Sequence, residues 1–183
     1  MILPEQKNID PKIWKRTHSC GELNKNNIGQ TVTLMGWVNT YRDHGGLIFV
    51  DLRDREGKTQ VVFDPEISNE AHLMAHKIRN EFVLAVKGEV ISRGEGAFNP
   101  NLKTGEIEVR VNQMKILNQS EPPPFNIDDH SEIGDDVRLK YRYLDLRRTE
   151  MKKNIILRHK VCLLIRNFLS ERGKVVQVER TGE

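Results

Sequence analysis

Two side chains between residues 31 and 63 have types and positions that suit base recognition. Apolar and polar residues alternate around Phe49, and a strand places alternate side chains on opposite faces, so Phe49 falls opposite Ile48 and Val50. In the next apolar run, Gln60 falls out of step with its apolar neighbours. An exposed ring stacks on a base and an amide reads its Watson–Crick edge, so this pair predicts binding of single-stranded nucleic acid. The competing interpretation is a lone surface phenylalanine, which is common.

The elements that would position these side chains form a small barrel. Strands are expected at 31–39, 47–53 and 59–63, with Gly36 allowing a bend or bulge in the first strand. A helix from an N-cap at Ser68 to near Asn80 follows, and then two strands within 82–90 and 106–116, separated by a loop rich in Gly, Asn and Pro. This order is that of the OB-fold, a mainly β, five-stranded Greek-key barrel with one helix. It also fits other small barrels.

Composition excludes several classes of protein. The 183 residues are 30% charged and 37% hydrophobic, which is typical of a globular protein, and no apolar run is long enough to cross a bilayer. Charges throughout residues 1–16 exclude a secretory signal, so we expect a cytoplasmic protein. Cys20 and Cys162 form neither a disulfide framework nor a zinc ligand set. The net charge of +3 permits a polyanionic partner without requiring one.

A linker and helices follow the predicted barrel. Three consecutive prolines and several acids around residues 118–130 indicate a stiff, solvated linker. Helices are expected at 135–143 and 149–171, and the second carries a wide apolar stripe. Because such a stripe must be buried and little sequence remains to cover it, we expect a chain cut short.

Other candidate sites are weaker. His72 and His76 have a zinc-compatible spacing, but a third ligand is missing. Gly94, Gly96 and Gly105 lack the strand-to-helix context of a phosphate loop. The basic segment 140–153 could touch an RNA backbone, although a solvated helix face fits it as well.

Several sequence blocks between Arg16 and Gly173 occur together in one order. They are GWVN at 36–39, RD at 42–43 with LIFVDLRD at 47–54, QVVF at 60–63, RNEF at 79–82, NPN at 99–101, TGEIEV at 104–109 and RLKYRYLDLRR at 138–148. In these blocks the chain resembles the N-terminal region of bacterial-type aspartyl-tRNA synthetases, which are class IIb aminoacyl-tRNA synthetases. Lysyl and asparaginyl enzymes share the layout, but LDLRR at 144–148 is most similar to the aspartyl branch.

The resemblance implies a domain organisation and a partner. Residues 1–116 would be an anticodon-binding OB-fold with an N-terminal leader, 117–133 a hinge, and 134–183 the helical start of a class II catalytic domain. The partner would be the anticodon stem-loop of tRNA-Asp, with the anticodon GUC. The parent enzyme would attach aspartate to tRNA with ATP and Mg²⁺, as a homodimer, whereas no cofactor is expected in this chain.

The resemblance also implies roles for six side chains. Phe49 would stack on the middle anticodon base, Gln60 would read that base, and Glu108 would read a guanine in the first position. The alternation of residues 106–111 separately places Glu108 on the polar side of its strand. Three arginines would hold phosphates or flank bases: Arg42, Arg79 and Arg93.

The last residues depart from the family. After Gly173 the chain lacks the family's strand ending in Thr-Pro and the class II arginine pair for ATP. We therefore expect tRNA binding without catalysis. The alternative function is a free-standing OB-type module that binds single-stranded nucleic acid or protein, and the segment 138–148 argues against it, because such a module has no use for the start of a catalytic domain.

Overall fold

The chain divides into two compact units, residues 1–123 and 124–183. The structure is a computed structural model that describes residues 14–94, 96–127 and 133–173. Residues 1–13 of the predicted leader, residues 128–132 near the end of the predicted hinge, and the tail from 174 lie outside the described residues. The division into barrel, hinge and catalytic start stays a prediction.

A closed five-stranded barrel forms the first unit. Its strands adjoin one another in the order β1-β2-β3-β5-β4, and β4 also pairs with β1. The β3–β5 pair is parallel and the others are antiparallel. The predicted OB-fold is therefore confirmed. The strands are β1 Thr31–His44, β2 Leu47–Arg53, β3 Lys58–Phe63, β4 Val83–Ser92 and β5 Ile107–Asn118.

Alternate residues of the strands fill the barrel. Ile48, Val50 and Leu52 of β2 have no exposed surface, as the alternation predicts. From β3, Val61 and Phe63 are equally buried. Each such side chain contributes about 1.5–3 kcal/mol by leaving water, so the inward set fixes which residues of β2 and β3 face outward.

Strand β1 is longer than predicted and contains a β-bulge. Its pairing with β2 shifts register between Val38 and Thr40, so Asn39 is the extra residue. Beyond the bulge, Tyr41 pairs with Val50 and packs against the core, while Arg42 pairs with Phe49 on the outer face. The predicted end of β1 at residue 39 was wrong. The residues after the bulge are mostly polar and lack the alternation of apolar residues that indicates a strand.

Gly36 lies where the backbones of β1 and β2 approach closely, and it is not part of the bulge. A Cβ at Gly36 would collide with the carbonyl oxygen of Arg53 on the neighbouring strand. The prediction of a bend at this glycine therefore found the right strand and the wrong position.

One helix, α1 (Asn69–Ala75), links β3 to β4 and packs against β3 and β5. Ser68 Oγ accepts a hydrogen bond from the Ala71 N–H at 3.3 Å, which confirms the predicted N-cap. The helix ends at Ala75 rather than near Asn80, because the chain turns back to begin β4. In that turn Glu81 has a φ of +65°, in the left-handed region.

Helices α2 (Asp135–Lys140), α3 (Arg142–Asp145) and α4 (Thr149–Glu171) form the described part of the second unit. The helix predicted at 135–143 is broken at Tyr141, whose φ of −110° and ψ of 43° are not helical. The break lets the fully buried Asp145 accept hydrogen bonds from Arg138 and Arg142, at 3.1 and 2.6 Å. Most of the apolar side chains of α4 are exposed. Among the described residues, no helix combines the length and the apolar character needed to span a membrane.

Candidate nucleic-acid interface

Four polar side chains form one hydrogen-bonded row across the outer face of β1, β2, β3 and β5. Arg42 Nη2 donates to Asp51 Oδ1 at 3.0 Å and to Gln60 Oε1 at 3.1 Å. Gln60 Nε2 donates to Glu108 Oε2 at 2.7 Å. We call Arg42, Asp51, Gln60 and Glu108 the outer polar row. Arg42, Gln60 and Glu108 are predicted to contact RNA. Asp51 is not among the predicted residues.

Phe49 lies beside this row. It pairs with Arg42 on the neighbouring strand β1 and with Val62 on the neighbouring strand β3. It lies two residues before Asp51, on the same face of β2. Its side chain is half-buried. A ring held in this way has one surface supported by neighbours and another open to a base.

Arg93 is more enclosed than a surface phosphate contact would be. Its residue is 9% exposed, and its Nε donates to the backbone oxygen of Ile107 at 3.0 Å. Burial lowers the pKa of Arg93, while the carboxylates of Glu108 and Asp51 act in the opposite direction. Arg93 therefore lies close to the outer polar row. Its Nη2 is buried and has no hydrogen-bond partner among the described residues.

Arg79 is exposed and lies in the turn after α1. Its Nη1 donates to the backbone oxygens of His76 and Ile78, at 3.0 and 2.7 Å. Burial and the charge of Asp43 raise the pKa of Tyr41, whereas the charge of Arg79 lowers it. Arg79 thus lies near Tyr41, one residue before Arg42. The structure joins Arg42, Gln60 and Glu108 in one row and places Phe49 and Arg93 beside it, whereas the described hydrogen bonds of Arg79 lie within its own turn. The individual roles of the six residues stay predictions.

A second network holds the bulge of β1. Arg53 Nη2 donates to both carboxylate oxygens of Glu81, at 2.8 and 2.9 Å, and Arg53 Nη1 donates to Asn39 Oδ1 at 3.0 Å. The side chains of this ion pair are only 10% and 12% exposed. The Glu81 N–H also donates to the Val38 oxygen at 2.8 Å. Arg53 therefore ties the bulge to the left-handed turn residue.

Sequence reasoning missed Asp51, Arg53 and Glu81 as supporting residues. For Asp51 a signal was present, because it alternates with Phe49 on a face expected to contact RNA, where an acid is out of place. Arg53 and Glu81 gave no comparable signal, because their partners are distant in sequence.

The predicted histidine pair has the geometry of a packing contact. The ring centroids of His72 and His76 are 4.8 Å apart, with an edge-to-face orientation. His72 is buried, and its Nε2 has no hydrogen-bond partner within the described ranges. In the same ranges, no group of three His, Cys, Asp or Glu side chains is placed to hold a metal ion.

The outer polar row can accept and donate hydrogen bonds at once. Gln60 has two N–H groups and two oxygen lone pairs, and one of each is used within the row. Glu108 uses one oxygen for Gln60 and keeps acceptor capacity on the other. With Phe49 alongside, the surface offers a stacking platform, an amide and a carboxylate, which is a set suited to unpaired bases.

Family comparisons match both units. Residues 32–117 match the family described as OB-fold nucleic acid binding domain, and residues 134–180 match tRNA synthetases class II (D, K and N). An aspartate–tRNA(Asp/Asn) ligase of Desulfatibacillum aliphaticivorans is 57% identical over 157 residues, which are 86% of this chain and 26% of that protein. Another, of Syntrophotalea carbinolica, is 50% identical over 91% of this chain and 28% of its own length. The chain thus spans about a quarter of the length of these relatives.

Solved structures share the fold. The aspartyl-tRNA synthetase of Entamoeba histolytica superposes with a TM-score of 0.82 at 20% identity, covering 99% of this chain and 42% of that one. The asparaginyl-tRNA synthetase of Pyrococcus horikoshii has a TM-score of 0.71 at 24% identity, over 87% of this chain and 35% of that one. At these identities the likeness concerns the fold alone.

Proposed function

We propose that this chain, which has the anticodon-binding OB-fold region of the aspartate–tRNA ligase family, binds the anticodon loop of tRNA-Asp. The observation that carries the proposal is the outer polar row beside Phe49, which combines stacking and hydrogen-bonding groups on one face of the barrel. Unpaired loop bases are what such a face recognises.

The middle base of the anticodon would be a uracil held by Phe49 and Gln60. The phenylalanine ring would stack on the base. A uracil presents an N–H donor next to carbonyl acceptors, and an amide can pair with both groups. Because Arg42 and Glu108 already hold the two ends of the Gln60 amide, its orientation is set before RNA arrives.

The first base would be a guanine read by Glu108. The Watson–Crick edge of guanine carries two adjacent N–H donors, and a carboxylate accepts from both. Adenine presents a ring acceptor instead, which would face the carboxylate lone pairs. A buried group left unpaired costs about 1–3 kcal/mol, so a wrong first base should lower affinity by a factor of roughly 5 to 150.

The relatives' names also suggest a second tRNA. They specify tRNA(Asp/Asn), and the anticodons GUC and GUU share their first two bases. Since Phe49, Gln60 and Glu108 would act on those two bases, we propose that this chain accepts the loops of both tRNA-Asp and tRNA-Asn.

The activity of the whole protein is a separate proposal. A longer enzyme with this region would attach aspartate to tRNA, and would use ATP and Mg²⁺ in a class II catalytic domain that forms a homodimer. We place that reaction in the cytoplasm, where its tRNA substrate is used.

Fluorescence anisotropy with labelled anticodon stem-loops tests the proposal. Loops with GUC and GUU should bind tightly. Loops with a changed first base (AUC) or middle base (GAC) should bind about 5 to 150 times more weakly at the same salt concentration. Equal affinity for all four loops would instead indicate a general single-strand binder, and no binding to any of them would refute the proposal.

A further inference from the structure

We infer that Asp51 is a positioning residue for RNA recognition, which acts by fixing Arg42 and, through it, the amide of Gln60. This inference rests on the proposed function, because it concerns the same RNA face. Nothing in the resemblance gives Asp51 a role.

Within the part of the chain that the structure describes, Asp51 accepts its hydrogen bond from Arg42. Arg42 Nη2 divides its hydrogen bonds between Asp51 Oδ1 at 3.0 Å and Gln60 Oε1 at 3.1 Å. The Asp51 side chain is 13% exposed, whereas that of Arg42 is 41% exposed. The carboxylate is therefore mostly enclosed, while the guanidinium that it holds still reaches solvent with its other N–H groups.

An enclosed acid on a face that binds a polyanion needs a compensating benefit. A carboxylate there repels phosphate and loses hydration. The benefit is order, since an arginine side chain that is free in solution carries much rotamer entropy, which an ion pair removes before RNA binds. The negative charge of Asp51 also interacts with the positive charge of Arg93, so two arginines offset it.

The effect extends to Gln60. Arg42 donates to the amide oxygen, and this leaves the amide nitrogen directed at Glu108. Without Asp51, Arg42 keeps only the neutral amide as a partner in the row and samples other rotamers. Gln60 then loses the contact that holds its oxygen, and the base-reading amide becomes less ordered.

The sign of one substitution separates this role from a simple charge effect. If Asp51 only repels RNA, Asp51→Asn should tighten binding of a GUC stem-loop. If Asp51 positions Arg42, the variant should bind about tenfold more weakly despite its more favourable net charge. The matched control is Asp43→Asn, which removes the same charge from an exposed position on β1 and should change affinity by less than about threefold.

A double-mutant cycle identifies the residue through which Asp51 acts. In an Arg42→Met background, Asp51→Asn should have no further weakening effect on RNA affinity, because its target is absent. A weakening that is equal in both backgrounds would overturn the inference, as would tighter binding by Asp51→Asn alone. Thermal unfolding of each variant verifies that the barrel is intact. If the unaltered chain does not bind the loop, the proposed function fails first, and the two failures are thereby distinguished.

Discussion

Gln60 and Glu108, the side chains expected to read two neighbouring bases, are hydrogen-bonded to each other at 2.7 Å. Their partners on the protein therefore hold them in place before binding. Because ordering a flexible side chain on binding costs about 0.5–1.5 kcal/mol, this arrangement lowers the free-energy cost of recognition. It also couples the two positions, so a substitution of either residue should change base recognition by the other.

Phe49→Ala should weaken binding of the GUC stem-loop by about 1–3 kcal/mol, the usual value of one base–aromatic stack. Anisotropy titration measures this loss. Phe168→Ala is the matched control, since Phe168 is an exposed ring on α4 and not on a strand or loop of the barrel. Equal losses in the two variants would argue against a specific stack.

Glu108→Gln should reduce discrimination at the first base more than it reduces affinity. The substitution replaces an acceptor by a mixed donor and acceptor, so guanine loses its matched partner and adenine gains a donor. The ratio of affinities for GUC and AUC loops measures the effect. An unchanged ratio would contradict the assignment of Glu108 to the first base.

Arg79→Ala should weaken all loops alike, because an exposed arginine that contacts phosphate carries no base information. A plot of log affinity against log salt concentration has a negative slope, and this slope should become shallower by about 0.7 for each phosphate contact to a single strand that is lost. Repeating the titrations with AUC and GAC loops provides the control. A change in base preference would show that Arg79 does more than hold phosphate.

Glu81→Ala should lower the free energy of unfolding by about 3–5 kcal/mol, because it removes the two hydrogen bonds that the Glu81 carboxylate accepts from the enclosed guanidinium of Arg53. Glu81→Gly should be milder by about 1 kcal/mol, since glycine adopts the φ of +65° without strain. Urea denaturation of both variants measures these differences. If the glycine variant is the less stable of the two, backbone strain does not contribute at this position.

Cys20 should resist alkylation in the native protein. Burial, reinforced by the nearby charge of Asp54, raises the pKa of the Cys20 thiol well above its usual value, so the reactive thiolate is scarce at pH 8. Iodoacetamide at that pH should therefore modify Cys162, which is half-buried, before Cys20. Peptide mass spectrometry distinguishes the sites, and modification of both in urea confirms that the fold protects Cys20.

The alternating strands were predictable because their signal is local. In β2 and β3, apolar residues at every second position establish the buried face, and Phe49 and Gln60 follow as its opposite. The environment of Arg93 was not predictable, because it depends on a backbone oxygen at Ile107 that the barrel brings close. The Arg53–Glu81 pair was hidden for the same reason, since its partners lie on separate elements.

The extra residue in β1 determines where this strand tolerates a change of length. Val38 pairs with Leu52 and Thr40 with Asp51, so deleting Asn39 would join two residues that already occupy consecutive pairs. Tyr41 would stay inward and Arg42 outward, and the side-chain hydrogen bonds lost would be the one from Arg53 to Asn39 and the one from Asn39 to Thr40. Deleting a residue nearer the start of β1 would turn the side chains between that point and the bulge to the wrong face. A one-residue deletion at the bulge is therefore expected to keep the RNA surface facing outward, whereas the same deletion earlier in β1 is not.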